Sequence, residues 1–327
     1  MDKLDISVII TNRNGMAVLP NCLRTLLAEP VNEIIIVDNG SDDGSVSYVK
    51  SISDQRLSII QNNNNNGYAE ANNQGYHRST AKFIVFLNND TICLPGFLEP
   101  LVVYLKEQRQ VAAVQPLILF PDMTIDSVGS YLTPTGFLYH RAHRQKLNVQ
   151  NSQPALVYSL KGACMVWRRA VLEQIGVFDE TYFAYFEETE LCNRALRAGY
   201  QLATVPRSAI IHLGGFTSNS MDQSFIQFYN TKNRLQTYLR HLPLALAWHI
   251  ILINILLSEL LVLHSFFHSA KLAIAIQKGI FAGIANGLIY RRKHYVQSYD
   301  LSQYLKKPDF SYYRALFSSL QHYDKLW

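Results

Sequence analysis

The segment FIVFLNND, residues 83–90, decides the reading: five consecutive apolar residues run straight into Asn88-Asn89-Asp90. An apolar run without polar alternation fits a strand buried on both faces, and its abrupt polar end marks the exit into a loop. The same pattern recurs upstream. DISVIIT (5–11) closes on Thr11-Asn12, and EIIIV (33–37) closes on Asp38-Asn39-Gly40. Residues 17–28 place Leu19, Leu23, Leu26 and Leu27 on one helical face. Residues 57–61 are strand-like, 68–79 can be helical, Pro95 opens a helix over about 95–108, and 111–119 is a further strand. This alternation predicts an α/β fold: a mainly parallel sheet flanked by helices. Ligands of such sheets bind beyond the carboxyl ends of the strands. The clusters Thr11-Asn12, Asp38-Asn39 and Asn88-Asn89-Asp90 are therefore expected to meet along one edge.

Residues 120–160 are rich in Pro, Gly, Ser and Thr and read as a loop excursion or a small hairpin. LKGACMVW, a helix over about 169–175, and FDETYFAYFEETELCNRALRAGY follow; the second half of the last segment is an amphipathic helix. QLATVP and AIIHLGG read as two short strands, and 222–241 as a helix.

The 327 residues are 48% apolar and 17% charged, against roughly 25% charged in ordinary soluble domains. Disordered, collagen-like and disulfide-scaffold classes are excluded. Residues 1–230 carry 18 Lys/Arg against 21 Asp/Glu, and residues 231–327 carry 12 against 4. A weakly acidic body and a basic tail suggest two modules, 1–240 and 241–327. Between Arg240 and Lys271 the only charge is Glu259. Residues 242–263 are long enough to cross a hydrocarbon core of about 30 Å, although His249, Asn254 and Glu259 interrupt them. Residues 271–290, with Lys271 and Lys278 seven apart, suit a helix lying in the headgroup plane, and Arg291-Arg292-Lys293 adds attraction to an anionic leaflet. The expectation is in-plane or re-entrant attachment at the cytoplasmic face of the cell membrane. Spanning, a soluble helical subdomain and a dimer interface are the alternatives. The N-terminus shows no secretory signal pattern. Cys22, Cys93, Cys164 and Cys192 are scattered and read as buried, reduced thiols.

Five features carry possible chemistry, each with a plainer alternative. Asp38 is either an Asx-turn residue or a carboxylate accepting hydrogen bonds from a nucleoside. Asn88-Asn89-Asp90 is either a helix cap or a set of hard oxygen ligands for a divalent metal. Asn62–Asn66 with Gly67 is either a disordered polar loop or a rigid one before a helix, and it lacks a Walker lysine. Glu187, Glu188 and Glu190 either complement a helix dipole or supply a general base. His212 is either structural or a metal ligand.

SVIITNRNG, EIIIVDNGSDDGS, NNGYAEANNQGY, FIVFLNNDT, GACMVWRRAVLEQIGVFDETYFAYFEETELCNRALRAGY and HLGG occur in this order. Together they resemble a family 2 glycosyltransferase of the GT-A fold, near the bacterial rhamnosyltransferase-like branch, over about residues 5–235. The resemblance implies that Thr11, Asn12 and Asp38 line a nucleoside pocket and that Asn72 and Asn73 face the donor. Asn88, Asn89 and Asp90 take the Asp-x-Asp position, with Asn88 replacing the first Asp and Asp90 left to bind the metal, Mg²⁺ or Mn²⁺. Glu188 takes the position of the catalytic base, where relatives carry Asp, with Glu187 and Glu190 as rivals. Gly162, Ala163 and Cys164 would floor the acceptor side, and His212 matches a metal-ligand position. The implied reaction is inverting transfer from a nucleotide-diphospho-sugar, with deoxythymidine-diphosphate-rhamnose the first guess. The acceptor would be a lipid-linked or growing glycan. Without the Gln-x-x-Arg-Trp motif of processive synthases, addition of a single sugar is expected. Nucleic acid is not expected as a partner. A nucleotidyltransferase of similar fold and a non-catalytic, membrane-associated sugar- or lipid-binding protein are the competing classes.

Overall fold

The apolar runs become strands because their branched side chains pack on both faces of a sheet that helices then cover. A computed structural model describes residues 4–149, 151–214, 222–266, 269–294 and 299–307. The elements begin with β1 (Leu4–Asn12), α1 (Leu19–Leu26), β2 (Val31–Asn39), α2 (Ser45–Ser51), β3 (Leu57–Asn62), α3 (Gly67–Arg78) and β4 (Phe83–Asn88). They continue with β5 (Thr91–Cys93), α4 (Leu98–Glu107), β6 (Val111–Leu119), β7 (Ile125–Ser127), β8 (Ser130–Leu132), β9 (Leu138–His140) and β10 (Ala155–Leu156). β11 (Cys164–Arg168), α5 (Arg169–Ile175), α6 (Glu187–Arg197) and β12 (Gln201–His212) complete the sheet region. The main path of the sheet is β10-β12-β6-β11-β4-β1-β2-β3. β1 pairs in parallel with both β2 and β4, whereas β11 is antiparallel to β4 and β6. The chain turns away from β1 in opposite directions to β2 and β4, which opens a crevice at the carboxyl ends of those strands.

Three expectations are refined. Residues 120–160 do hold a hairpin, β8 with β9. The helix expected from Pro95 begins at Leu98, after Gly96 turns with φ +73°. QLATVP and AIIH form the single strand β12, whose register slips between Val205 and Ala209. Pro206 lies in that slip, where its missing N–H breaks no ladder bond.

The chain divides into two compact units, Met1–Ser130 with His140–Met221, and Tyr131–Tyr139 with Asp222–Trp327. In the second unit α7 (Gln223–His241), α8 (Leu244–Phe266) and α9 (Ala270–Lys293) pack together. The division thus falls before α7 rather than at residue 240. Gly279, Gly283 and Gly287 of α9 face α7 so closely that a Cβ at Gly283 would lie 2.6 Å from the Lys232 carbonyl oxygen. Leu235, Leu239, Ile251, Ile276 and Ile280 fill the space among the three helices. Gln277 Nε2 donates to Glu259 Oε2 at 2.7 Å, so the one acid of the apolar stretch is partnered between α8 and α9. Leu252, Leu256, Leu260 and Leu263 of α8 and Ile274, Phe281 and Ile289 of α9 stay exposed. Among the described residues, α9 is long and apolar enough to cross a membrane by length and composition, while α8 contributes the apolar stretch Leu244–Leu260. Residues 308–327 of the basic tail lie outside the described residues.

α3 rests directly on the sheet of the first unit: a Cβ at Gly75 would lie 2.4 Å from Ile9 Cγ2. Gly75→Ala is expected to lower stability by about 1–3 kcal/mol through overpacking, read as a shift of the denaturation midpoint.

Candidate active site

The three polar strand ends do meet. Asn12 lies opposite Asp38 in the β1–β2 register, and Thr11 opposite Asn88 in the β1–β4 register. The buried Asn12 amide joins them. Its Nδ2 donates to Asp38 Oδ1 and Ser45 Oγ, both at 2.9 Å, while its Oδ1 accepts from Asn89 Nδ2 at 2.8 Å. Gly15 permits this, because a Cβ there would lie 2.2 Å from Asn12 Oδ1. Asp38 closes an Asx turn, accepting from the Ser41 N–H at 2.9 Å and from Ser41 Oγ at 2.5 Å. Asn12, Asp38 and Asn89 therefore organise the edge from within, while Thr11 and Asn88 stay half-buried on it.

The Asn-rich segment is a rigid loop. Asn62 Nδ2 donates to Asn39 Oδ1 (2.9 Å) and Gln74 Oε1 (2.8 Å), and Asn39 Nδ2 donates to the Gly67 carbonyl (3.0 Å). Gly67 turns with φ +85°, and a Cβ there would lie 2.6 Å from the Phe183 carbonyl oxygen. On α3, Asn72 is buried and donates to its own helix at Tyr68 O (2.9 Å). Asn73 departs from its expected donor-facing role. Its amide donates to Phe178 O (2.9 Å) and Glu180 Oε1 (3.0 Å) and accepts from the Phe178 N–H (3.0 Å), so it clips the 178–180 segment to the helix.

α6 opens directly on the acidic cluster, after Phe183, Tyr185 and Phe186 adopt left-handed φ values of 59°, 68° and 70°. Its three carboxylates occupy three environments. Glu190 is bound at both oxygens by Arg194, 3.0 Å from Nε, and Arg194 also donates to the Ile175 carbonyl at 2.6 Å. This ion pair engages both oxygens of Glu190. Glu187 is buried, and its Oε2 has no hydrogen-bond partner. Burial, then the neighbouring Glu188 charge, pushes its carboxyl well above the usual range. Glu188 is half-buried and also raised by burial, with the Lys161 charge acting the other way. A Cβ on Gly162 would sit 3.8 Å from Glu188 Cβ, and Tyr68 Oη donates to the Gly162 carbonyl at 3.0 Å. Gly162 therefore lies beside Glu188. Ala163 and Cys164 do not: both are side chains of the buried core, where β11 packs between β4 and β6. All four cysteines are buried and free of disulfides, in keeping with reduced thiols.

The last strands bring His212 to Asp90. β12 pairs with β5 in the register His212–Thr91, and the Leu213 N–H donates to the Asp90 carbonyl at 2.9 Å. His212 Nε2 stands 3.4 Å from Asp90 Oδ1, a buried oxygen with no hydrogen-bond partner. On its other side, His212 Nδ1 contacts Asp126 Oδ2 at 2.8 Å, and Lys161 Nζ meets Asp126 Oδ1 at 2.5 Å. Burial opposes the charge on Asp126, but His212 and Lys161 more than offset it and hold the carboxyl well below its usual range. Burial likewise opposes protonation of His212, yet the hydrogen bond to Asp126 and the nearby Asp90 leave its pKa raised. A buried orphan carboxylate oxygen beside an imidazole nitrogen fits a hard divalent cation bound by Asp90 and His212. Among the described residues no three His, Cys, Asp or Glu converge on one point, so ligands from outside these side chains would have to complete the coordination. Gly215, the last residue of the HLGG motif, lies outside the described residues.

Sequence reasoning missed Asp126, Lys161 and Gln115, whose Oε1 accepts from the Lys161 N–H at 2.8 Å. Asp126 sits in the turn-rich stretch, where no periodicity singles it out. Lys161 adjoins Gly162 and is marked only by being a charge inside an apolar run.

The family model for Glycosyl transferase family 2 matches residues 7–176. The chain is 26% identical over 218 residues to the O-antigen biosynthesis protein RfbC of Myxococcus xanthus, covering 63% of this chain but 17% of that protein. It is 27% identical over 214 residues to the N-acetylglucosaminyl-diphospho-decaprenol L-rhamnosyltransferase of Mycobacterium tuberculosis, covering 58% and 68% of the two chains. Against the dTDP-rhamnosyl transferase RfbF of Shigella flexneri it is 26% identical over 300 residues, covering 90% and 94%. The crystal structure of GalNAc-T7 with UDP, GalNAc and Mn²⁺ superposes with a TM-score of 0.57 at 16% identity, over 71% of this chain and 47% of that one.

Arg194→Leu would remove the guanidinium that binds both oxygens of the buried Glu190. It is expected to cost about 3–5 kcal/mol of stability, read by chemical denaturation, with Glu190→Gln the milder change.

Proposed function

Because the chain belongs to glycosyl transferase family 2 and has the GT-A fold, we propose that it transfers one sugar, with inversion, from a nucleotide-diphospho-sugar to a lipid-linked or growing glycan. The observation that carries this reading is the convergence of two chemistries on one strand edge. The Asp90–His212 pair closes one side, and Glu188 stands at Gly162, whose neighbour Ala163 accepts from the Asn88 N–H at 3.0 Å. The competing nucleotidyltransferase reading has no comparable support.

In this reading Thr11, Asn88 and the Asn-rich loop 62–67 receive the donor, and Asp38 shapes the nucleoside end. Asp90 and His212 would hold Mg²⁺ or Mn²⁺. When bound, that ion offsets charge on the departing diphosphate. Glu188 takes the proton of the acceptor hydroxyl, whose oxygen attacks the anomeric carbon from the face opposite the leaving group. Burial and the neighbouring Glu188 push the Glu187 carboxyl well above the usual range, which favours its neutral form and lessens the negative charge beside Glu188. Relatives named for dTDP-rhamnose and for a diphospho-decaprenol acceptor support rhamnose as donor sugar and a lipid diphosphate as acceptor carrier.

Nucleoside diphosphate release from a panel of sugar nucleotides, with and without EDTA, tests the reading. Release from dTDP-rhamnose that EDTA abolishes and Mn²⁺ restores is expected; release from no donor in the panel defeats it. Asp90→Asn should remove most metal-dependent turnover, and His212→Ala somewhat less. Glu188→Gln should lower transfer by roughly 10²-fold or more with donor affinity retained. The base works ionised and its pKa is raised, so turnover should fall as pH drops through a value above the usual glutamate range, and level off above it.

We also place the enzyme on the cytoplasmic face of the cell membrane. The exposed leucine stripe of α8, Phe281 of α9 and the basic end Arg291-Arg292-Lys293 support this. Full-length protein should float with anionic vesicles, and the triple variant Leu252→Lys, Leu256→Lys, Phe281→Lys should not. Equal flotation of both, or of neither, rejects the placement.

A further inference from the structure

Asp126 lies outside the motifs that carry the family resemblance, yet it is an enclosed charge, with 1% of its side chain exposed. Its two oxygens face two different partners. Oδ1 receives the Lys161 ammonium at 2.5 Å, and Oδ2 receives His212 Nδ1 at 2.8 Å. With an ammonium on one oxygen the carboxylate is an acceptor only, so the imidazole must place its proton on Nδ1. In the neutral ring Nε2 then carries the lone pair, and Nε2 is the atom 3.4 Å from the unpartnered Asp90 Oδ1. The opposite tautomer would aim an N–H at Asp90 and close that position to a cation.

We propose that Asp126 is a positioning residue that fixes the tautomer and orientation of His212 for divalent-metal binding with Asp90, and that Lys161 is the ion that keeps Asp126 an acceptor. The proposal rests on the reading of Asp90 and His212 as the metal pair. It places three elements behind one coordination position: β7 supplies Asp126, β12 supplies His212, and the approach to β11 supplies Lys161. The Lys161 N–H is itself held by Gln115 Oε1 at 2.8 Å, so the counter-ion is anchored at its backbone as well. An outer carboxylate of this kind orients a ligating imidazole and raises its basicity.

Asp126→Asn is the informative change. An amide has one acceptor and one donor end and cannot accept from both Lys161 and His212. Turning its oxygen to Lys161 leaves its NH₂ facing Nδ1 and drives the imidazole proton to Nε2. The test combines ¹⁵N NMR of the histidine ring in metal-free protein at alkaline pH with Mn²⁺ titration followed by electron paramagnetic resonance, with and without dTDP. Wild type should show His212 protonated on Nδ1. Asp126→Asn should shift the proton toward Nε2 and weaken Mn²⁺ binding by roughly 10- to 100-fold. Lys161→Gln should perturb both readouts less. A wild-type ring protonated on Nε2 overturns the proposal without any variant. Unchanged tautomer and Mn²⁺ affinity in Asp126→Asn also overturn it, while leaving the metal pair standing. Wild-type protein that takes up no Mn²⁺ under either condition defeats the metal reading itself, and the proposal with it.

Discussion

One buried amide sets the frame for the rest of the site. Asn12 donates across to β2 at Asp38 and to Ser45, and accepts from Asn89 beyond β4. Losing a partner of such a group costs about 1–3 kcal/mol, because the remaining donors and acceptors have no water to turn to. The knot leaves Asp90 next in line after Asn89, with its own Oδ1 unpartnered. The knot holds these polar atoms in place while Thr11 and Asn88 stay half-buried at the edge.

Pairings between distant segments complete what the knot begins. The β5–β12 register brings His212 to Asp90 across more than a hundred residues of chain. Antiparallel β11 carries the 162–163 corner to the end of β4, where α6 meets it. Within α6, three acids in four residues diverge by environment alone: one clamped by arginine, one sealed from water, one half-open beside the glycine corner. Identical side chains acquire separate environments through burial and neighbours.

The apolar runs and their polar ends made the parallel sheet and the common edge legible before any coordinates, since burial on two faces and a topological crevice both leave marks in sequence. Periodicity also found most helices. What it could not supply was direction or partnership. Nothing in LKGACMVW says that β11 runs antiparallel. Asn73 looks like a ligand-facing amide until the backbone of Phe178, 105 residues on, is seen to claim it. Ala163 and Cys164 looked like a floor because the motif is contiguous, whereas strand geometry sends it into the core after Gly162. Asp126 was invisible because turn-rich stretches carry no period, and its importance depends on two residues far along the chain. The edge of the second unit follows packing rather than charge: charge changes near residue 231, while the glycine seam of α9 packs against α7.

The space that Gly67 leaves empty is occupied by the carbonyl of Phe183, and the Tyr68 N–H holds that carbonyl at 2.6 Å. Phe183 opens the left-handed segment that delivers Glu187 and Glu188, each such residue storing on the order of 1–3 kcal/mol of strain. The Asn-rich loop and the acidic helix are thus one mechanical part, although more than a hundred residues separate them in the chain. A substitution on either side is therefore felt on the other: a shift of the loop at position 67 moves the backbone that leads into α6.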